Sequence, residues 1–365
     1  MNRLKIDRAS PVPKVRQIEH ILRRKIEAKE LSPGKKLPSM QDLAEHFGVS
    51  IGIIKLALRT LSFEGYLRSV PKSGVFVADT LPLKSIALVL SSAELEQVPR
   101  IIRATRGSLP KNYRLVIEAS STGYEGQIDI LKTISSPYIS GIILQTPPAR
   151  CYIESIQRNL PSGIPCIQAL AEFEELGMDS VTADGFSMGQ IATNHLIQMG
   201  HRKIGLIGNE SDNQTFIARK KGIDFAMKQI GQSYNSMIKE TVDPMHLDFD
   251  APWNPGRNAA LHLLEKHPDI TAIIGGDGHI TLGAYKAIIE TGRSVPEDIS
   301  LIAMELDLPS FEHTNPPISA VDKPFELVFS RAVELLVNRI ESPDRPLQSI
   351  HLAPVLCSRD SVKKL

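Results

Sequence analysis

From Ile86 to Val321, short unbroken apolar runs alternate with helix-like stretches, and this alternation is the strongest constraint on the fold. The runs are Ile86–Leu90, Leu115–Ala119, Gly141–Gln145, Pro165–Ala169, Ser180–Ala183, Ile204–Ile207, Thr271–Gly275, Ser300–Met304 and Ser319–Val321. A strand that is apolar at every position, not at every second one, is covered on both faces. That condition belongs to parallel sheets sandwiched between helices. Residues 85–365 exceed what one doubly wound unit needs, so the pattern predicts an α/β body of two lobes with a cleft between them.

The residues before this body read differently. Val15, Ile18, Leu22 and Ile26 recur at helical spacing, and the helix they predict over 13–30 stops at Leu31-Ser32-Pro33-Gly34. Ser39 can cap a short helix running through Phe47, with Asp42 in the acidic position three residues on and Gly48 as the stop. Ser50 can cap another, with Ile54, Leu58 and Leu61 facing inward and Gly52, Lys55 and Arg59 facing out. Two short helices joined by a tight turn form a helix-turn-helix. Tyr66–Val70 and Val75–Val77, around Pro71-Lys72-Ser73-Gly74, predict a hairpin with a cationic tip, the wing of an α+β winged helix-turn-helix head over 1–79.

Charge separates head from body. The chain's net charge is only +1, yet residues 1–80 hold 15 Lys and Arg against 8 Asp and Glu, leaving the remainder acidic. A basic head on an acidic body fits a polyanion partner for the head alone, and a solvated basic surface without a partner is the alternative.

The head resembles the winged-helix domain of the GntR family of bacterial regulators over about residues 12–78. The matching residues include Leu31 through Ser39, Leu43-Ala44, Phe47-Gly48-Val49-Ser50, Ala57-Leu58, Leu61, Glu64-Gly65 and Gly74-Val75-Phe76-Val77. The resemblance implies that the helix from Ser50 to Glu64 enters the major groove of double-stranded operator DNA, with Lys72, Ser73 and Gly74 at the minor groove or backbone. It carries DNA contact onto Ser39, Gln41, Ser50, Ile51, Gly52, Lys55, Arg59, Lys72, Ser73 and Gly74. Gln41 stands where the family usually has arginine, and Ser50-Ile51-Gly52-Ile53 replaces its usual Ser-Arg-x-Thr, so an altered operator sequence is expected.

The body resembles the effector-binding core of the LacI/GalR family, a periplasmic-binding-protein-like fold of type I. The likeness runs through Ser140–Leu144, Val181–Asp184, Gly200–Gly208, Arg219–Gly222, Ile273–Asp277, Val295–Ile302, Asn315–Val321 and Arg359–Ser361. Where that family usually continues Ile-Gly-Phe-Asp-Asp, this chain has Ile302-Ala303-Met304-Glu305-Leu306. The resemblance implies one lobe of about 85–184 plus 296–324, another of about 185–295 plus 325–365, and a linker at 80–84. It also implies ligand contact by Arg219 and Asp277. A guanidinium fork and a carboxylate acceptor together suit a sugar or other polyol; an ion pair for Arg219 and a helix cap for Asp277 are the alternatives, and both roles can coexist. Ser91, Tyr124, Gln145, Asp184, Asn213 and Trp253 are further effector candidates at strand ends and nearby loops. Trp253 could stack on a sugar or simply pack. The pairing of head and body is similar to that of bacterial arabinose repressors, which implies a sugar effector.

The expected protein is a cytoplasmic, homodimeric, ligand-responsive transcription regulator. A repressor of carbohydrate use is favoured, and a sugar-binding protein without DNA-binding activity is the alternative. No secretion signal, membrane span, G-x-S-x-G, Walker loop or H-E-x-x-H is found, and no cofactor, metal or enzymatic turnover is expected. Cys151, Cys166 and Cys357 are far apart, so reduced thiols are expected.

Overall fold

The structure, a computed structural model, describes residues 6, 12–80, 82–91, 97–134, 139–208, 213–242, 251–305 and 309–365. Leu81 of the expected linker and Leu306 of the altered turn lie outside the described residues. The chain divides into two compact units, one built on the residues up to Ser85 together with Pro110–Arg114, the other on most of the body.

The head consists of α1 (Lys14–Glu27), α2 (Met40–Phe47), α3 (Ile51–Phe63) and a hairpin of β1 (Leu67–Val70) and β2 (Gly74–Val77). Each start and stop has a local cause. Ser39 Oγ accepts from Asp42 N and the Asp42 carboxylate accepts from Ser39 N, both at 3.1 Å, a reciprocal cap that satisfies two otherwise orphaned amides. Ser50 Oγ accepts more loosely from Ile53 N, at 3.4 Å. Antiparallel pairing sets Leu67 opposite Val77 and Val70 opposite Gly74, leaving Pro71-Lys72-Ser73 as the tip. Ile18, Leu22, Ile26, Leu43, Phe47, Ile54, Leu58, Leu61, Leu67 and Val77 form one buried core.

In the body, β3 (Lys84–Leu90), α4 (Val98–Ser108), β4 (Tyr113–Ala119), α5 (Gly123–Thr133), β5 (Ile139–Gln145), α6 (Ile153–Asn159), β6 (Cys166–Ala169) and β7 (Asp179–Ala183) come first. Next are α7 (Gly185–Gln198), β8 (Ile204–Gly208), α8 (Gln214–Lys228), β9 (Ile238–Thr241), α9 (Asn254–Lys266), β10 (Ala272–Gly275), α10 (Gly278–Glu290), β11 (Ser300–Ala303) and β12 (Ser319–Asp322). The last elements are α11 (Phe325–Glu341), β13 (Ser349–Leu352) and β14 (Val355–Cys357). Two six-stranded sheets result, ordered β13-β7-β6-β5-β3-β4 and β14-β12-β11-β10-β8-β9. Each crossing order reflects helical connections between parallel strands, and each sheet forms the centre of one lobe.

This topology corrects the expected lobe boundaries. Residues 296–324 belong to the second lobe, because β11 lies parallel to β10 with Ala272 opposite Ser300, and β12 lies beside β11. Conversely, α11 and β13 belong to the first lobe: β13 pairs with β7, Ser349 opposite Ser180, and Arg339 of α11 donates to both carboxylate oxygens of the buried Asp179 at 2.8 and 3.0 Å. The chain then crosses back, and β14 closes the second sheet antiparallel to β12, Ala320 opposite Cys357. The lobes are therefore joined by three crossings, near Asp184, Lys323 and Ala353-Pro354.

Candidate functional sites

On the head, the outer face of α3 carries Ile51, Gly52, Lys55, Leu56 and Arg59, all exposed, while Ile54, Ala57, Leu58 and Leu61 are buried beneath. Gln41, Ser50, Lys72, Ser73 and Gly74 are exposed as well, and Ser39 is exposed beside Gln41 while its hydroxyl serves as the α2 cap. Lys36, paired with Phe76 by an isolated bridge, brings a further cation to the wing, where its side chain lies near Gly74. Lys36, Lys55, Arg59 and Lys72 make no ion pair among the described residues, unlike Arg23, which is tied to Glu64 at 2.6 Å. Exposed cations that are not tied up in ion pairs attract phosphate and release counterions on binding it.

In the second lobe the carboxyl ends of parallel strands converge on Arg219. Its Nη1 donates to the carbonyl of Gly276, just past β10, at 2.7 Å, and its Nη2 to Glu305, just past β11. Lys323, just past β12, donates to the other Glu305 oxygen at 3.2 Å. Two glycines place Arg219. A Cβ on Gly189 of α7 would lie 2.1 Å from the Arg219 carbonyl oxygen, and one on Gly222 of α8 would lie 1.9 Å from the carbonyl oxygen of Phe186, so only glycine lets the two helices approach this closely.

The Arg219 and Glu305 side chains are only 5% and 10% exposed. Burial by itself would raise the Glu305 carboxyl, but the adjacent Arg219 and Lys323 charges outweigh it and bring the value down to about 2. Asp277 moves the other way: burial, helped by the Glu305 charge, pushes its carboxyl above the ordinary range, although the Ile280 amide it caps pulls down. Asp277 accepts from Ile280 N at 2.8 Å and so caps α10. Nε of Arg219 has no hydrogen-bond partner among the described residues.

Arg219 also lines a crevice of about 740 Å³ between the lobes. The first lobe contributes Arg150, Glu172, Thr182 and His351 to its wall, and the second contributes Asp184, Gln214, Thr215 and Lys323. His351 Nδ1 meets Thr182 Oγ1 at 3.0 Å, and its Nε2 lies 3.4 Å from Glu172. Asp184 caps α7 through Ser187 N at 3.1 Å and takes the Ser187 hydroxyl at 2.5 Å.

Of the eight predicted effector residues, the structure gathers Arg219 and Asp184 at this crevice, with Asp277 adjoining Gly276. Ser91 and Gln145 meet each other at the ends of β3 and β5, where Ser91 N donates to Gln145 Oε1 at 2.8 Å. Ser91 Oγ, Gln145 Nε2 and the Oε1 of neighbouring Gln127 are buried without partners among the described residues. Apart from Arg219 and Asp184, none of the eight lines the crevice. Asn213 caps α8, accepting from Thr215 N and Phe216 N, and Tyr124 packs on Tyr152 with ring centroids 5.5 Å apart. Trp253 begins α9 with Lys286 Nζ 3.9 Å from its ring centroid, an interaction within the second lobe. Sequence reasoning missed Glu305, Lys323 and His351. Glu305 carried the same signal as Asp277, an acid closing a buried strand.

Residues 14–77 match the gntR family of bacterial regulatory proteins, and residues 193–362 match the periplasmic binding protein-like domain. The chain joins a gntR-type head to a periplasmic-binding-protein-like body. Among curated proteins it is 25% identical over 370 residues to the arabinose metabolism transcriptional repressor of Geobacillus stearothermophilus, covering 97% of this chain and 99% of that one. It is 24% identical over 318 residues to the ribose operon repressor of Haemophilus influenzae, covering 87% and 92%. Among solved structures, a LacI family transcriptional regulator from Enterococcus faecium with bound ribose superposes with a TM-score of 0.66 at 21% identity, over 77% of this chain and all of that one. The transcriptional regulator CelR in complex with cellobiose does so with a TM-score of 0.65 at 21% identity, over 89% and 100%. These likenesses agree with the fold read from the sequence.

Proposed function

We propose that the chain is a ligand-responsive DNA-binding transcription regulator, a cytoplasmic repressor of a carbohydrate-utilisation operon. In this reading α3 and the hairpin tip hold operator DNA, two heads of a homodimer grip a pseudo-palindromic site, and a sugar bound between the lobes changes operator affinity. The protein acts by binding, without turnover. The observation that carries the reading is the combination of cations on the exposed α3 face that make no ion pair among the described residues with a two-lobed crevice lined by a buried arginine. Arginine donors beside carboxylate acceptors suit the alternating donor and acceptor character of a polyol. Ribose and cellobiose, bound in the two similar structures, and arabinose, whose metabolism a similar repressor controls, are the first compounds to try.

The test is anisotropy of a fluorescent duplex from upstream of the protein's own gene, titrated with the protein at several salt concentrations and then with each sugar. Salt-sensitive binding that one sugar changes is the expected result. Binding to no such fragment at any salt, or thermal stability and DNA affinity unmoved by every sugar, would overturn the reading.

A further inference from the structure

The first turn of α3 has an unusual chemistry for a face that meets DNA. It carries no arginine, and apart from the Ser50 hydroxyl, whose oxygen accepts from Ile53 N, it offers no side-chain donor to base edges. Instead, two large aliphatic side chains stand in the open: Ile51 is 49% exposed and Leu56 is 52% exposed. They flank Gly52, whose missing side chain would meet nothing within 4 Å except Ser50 Oγ at 3.8 Å, which leaves room for close approach. Lys55 and Arg59 share this face without acidic partners among the described residues. A greasy protein surface would not be matched by two uncompensated cations. An occupant that is polyanionic at its rim and apolar at discrete points would be, and the major groove of DNA presents such points only at thymine, through its C5 methyl group.

We propose, resting on the reading that α3 enters the major groove, that Ile51 and Leu56 select thymine in the operator half-site by contact with its methyl groups, while Lys55 and Arg59 anchor the flanking phosphates. Sequence is then read by apolar burial in place of arginine forks on guanine. Each methyl removed from such a contact weakens binding about four-fold, the equivalent of one buried methylene.

The experiment selects duplexes from a randomised pool with the full-length protein and then replaces each thymine of the selected half-site, one at a time, by uracil, which lacks only the methyl. Wild-type protein is expected to lose about four-fold in affinity at one or two positions. Ile51→Ala or Leu56→Ala is expected to abolish that discrimination while keeping the salt dependence, a ratio that a merely structural defect would not move. A half-site without thymine, thymine-to-uracil changes without effect, or effects that persist in both variants would overturn the proposal. Two heads associating through this face would appear as the second of these results, accompanied by a change of oligomeric state in Leu56→Ala. If the pool yields no enriched sequence, the DNA-binding reading falls and takes this one with it. Enrichment without methyl dependence removes this one alone.

Discussion

Replacing Glu305 by glutamine should destabilise the body more than any exposed charge change could. The wild-type carboxylate lies between Arg219 and Lys323, and the three side chains are 10%, 5% and 13% exposed. Glutamine preserves the shape but leaves two cations facing each other in a site poorly reached by solvent, a change that costs about 3 kcal/mol or somewhat more when one partner of a buried pair is lost. At roughly 2–4 °C per kcal/mol, the body's melting transition should fall by roughly 6–12 °C. Acid titration checks the same quantity independently. The Glu305 carboxyl lies at about 2 in the folded protein, below its ordinary unfolded value. Its stabilisation is therefore complete above about pH 4.5 and is lost as pH falls toward 2, amounting to about 3 kcal/mol over that window. Differential scanning calorimetry of wild type and Glu305→Gln from pH 7 down to pH 3 should show a stability gap that narrows with acid. Asp277, relieved of the Glu305 charge, should ionise at lower pH in the variant. A variant melting within 1 °C of wild type at pH 7, or a gap that does not depend on pH, would refute the account of this cluster.

Further outcomes follow from other contacts. Lys55→Gln and Lys72→Gln should each weaken operator binding about equally for all sequences and lower the slope of log affinity against log salt by about one, measured by anisotropy. Gly189→Ala would force a methyl into the Arg219 carbonyl, so the body should lose about 1–3 kcal/mol in denaturant titration, and the shift given by any stabilising sugar should shrink because Arg219 moves with α8. Ser39→Ala removes one half of a reciprocal cap and should cost the head about 1 kcal/mol, seen as an earlier head transition by circular dichroism.

The head was legible because its punctuation is local. Ser39 and Asp42 sit three residues apart, Gly48 follows at the other end of the same eight-residue helix, and the inward positions of α3 are spaced by the helix itself, so neighbouring residues determine each element. The buried strands of the body were legible for the same reason, whereas β9, β13 and β14, half-exposed edge strands without a continuous apolar run, were not. The lobe assignment was not legible either, because β11 and β12 are apolar on both faces and suit either sheet. The choice depends on pairings such as Arg339 with Asp179, which are 160 residues apart and have no local signature. The candidate cluster was half legible. Arg219 and Asp277 match a known pattern, while Glu305 stood in a turn that departs from it and drew notice only as a departure. The Glu305 carboxylate gathers the ends of three strands through its two cationic partners.

The cost of that arrangement bears on what the crevice accepts. A buried ion cluster adds little net stability compared with apolar packing, since desolvation consumes most of the attraction. Polar atoms buried without partners are outright unfavourable, by about 1–3 kcal/mol each. Among the described residues, Nε of Arg219, which lines the crevice, is such an atom. A ligand or water bearing hydroxyl groups recovers that cost, whereas an apolar ligand of equal size leaves it in place. The crevice should therefore favour a ligand whose hydroxyl meets Arg219 over the deoxy analogue that lacks it, because the missing hydroxyl returns that nitrogen to its unpaired state.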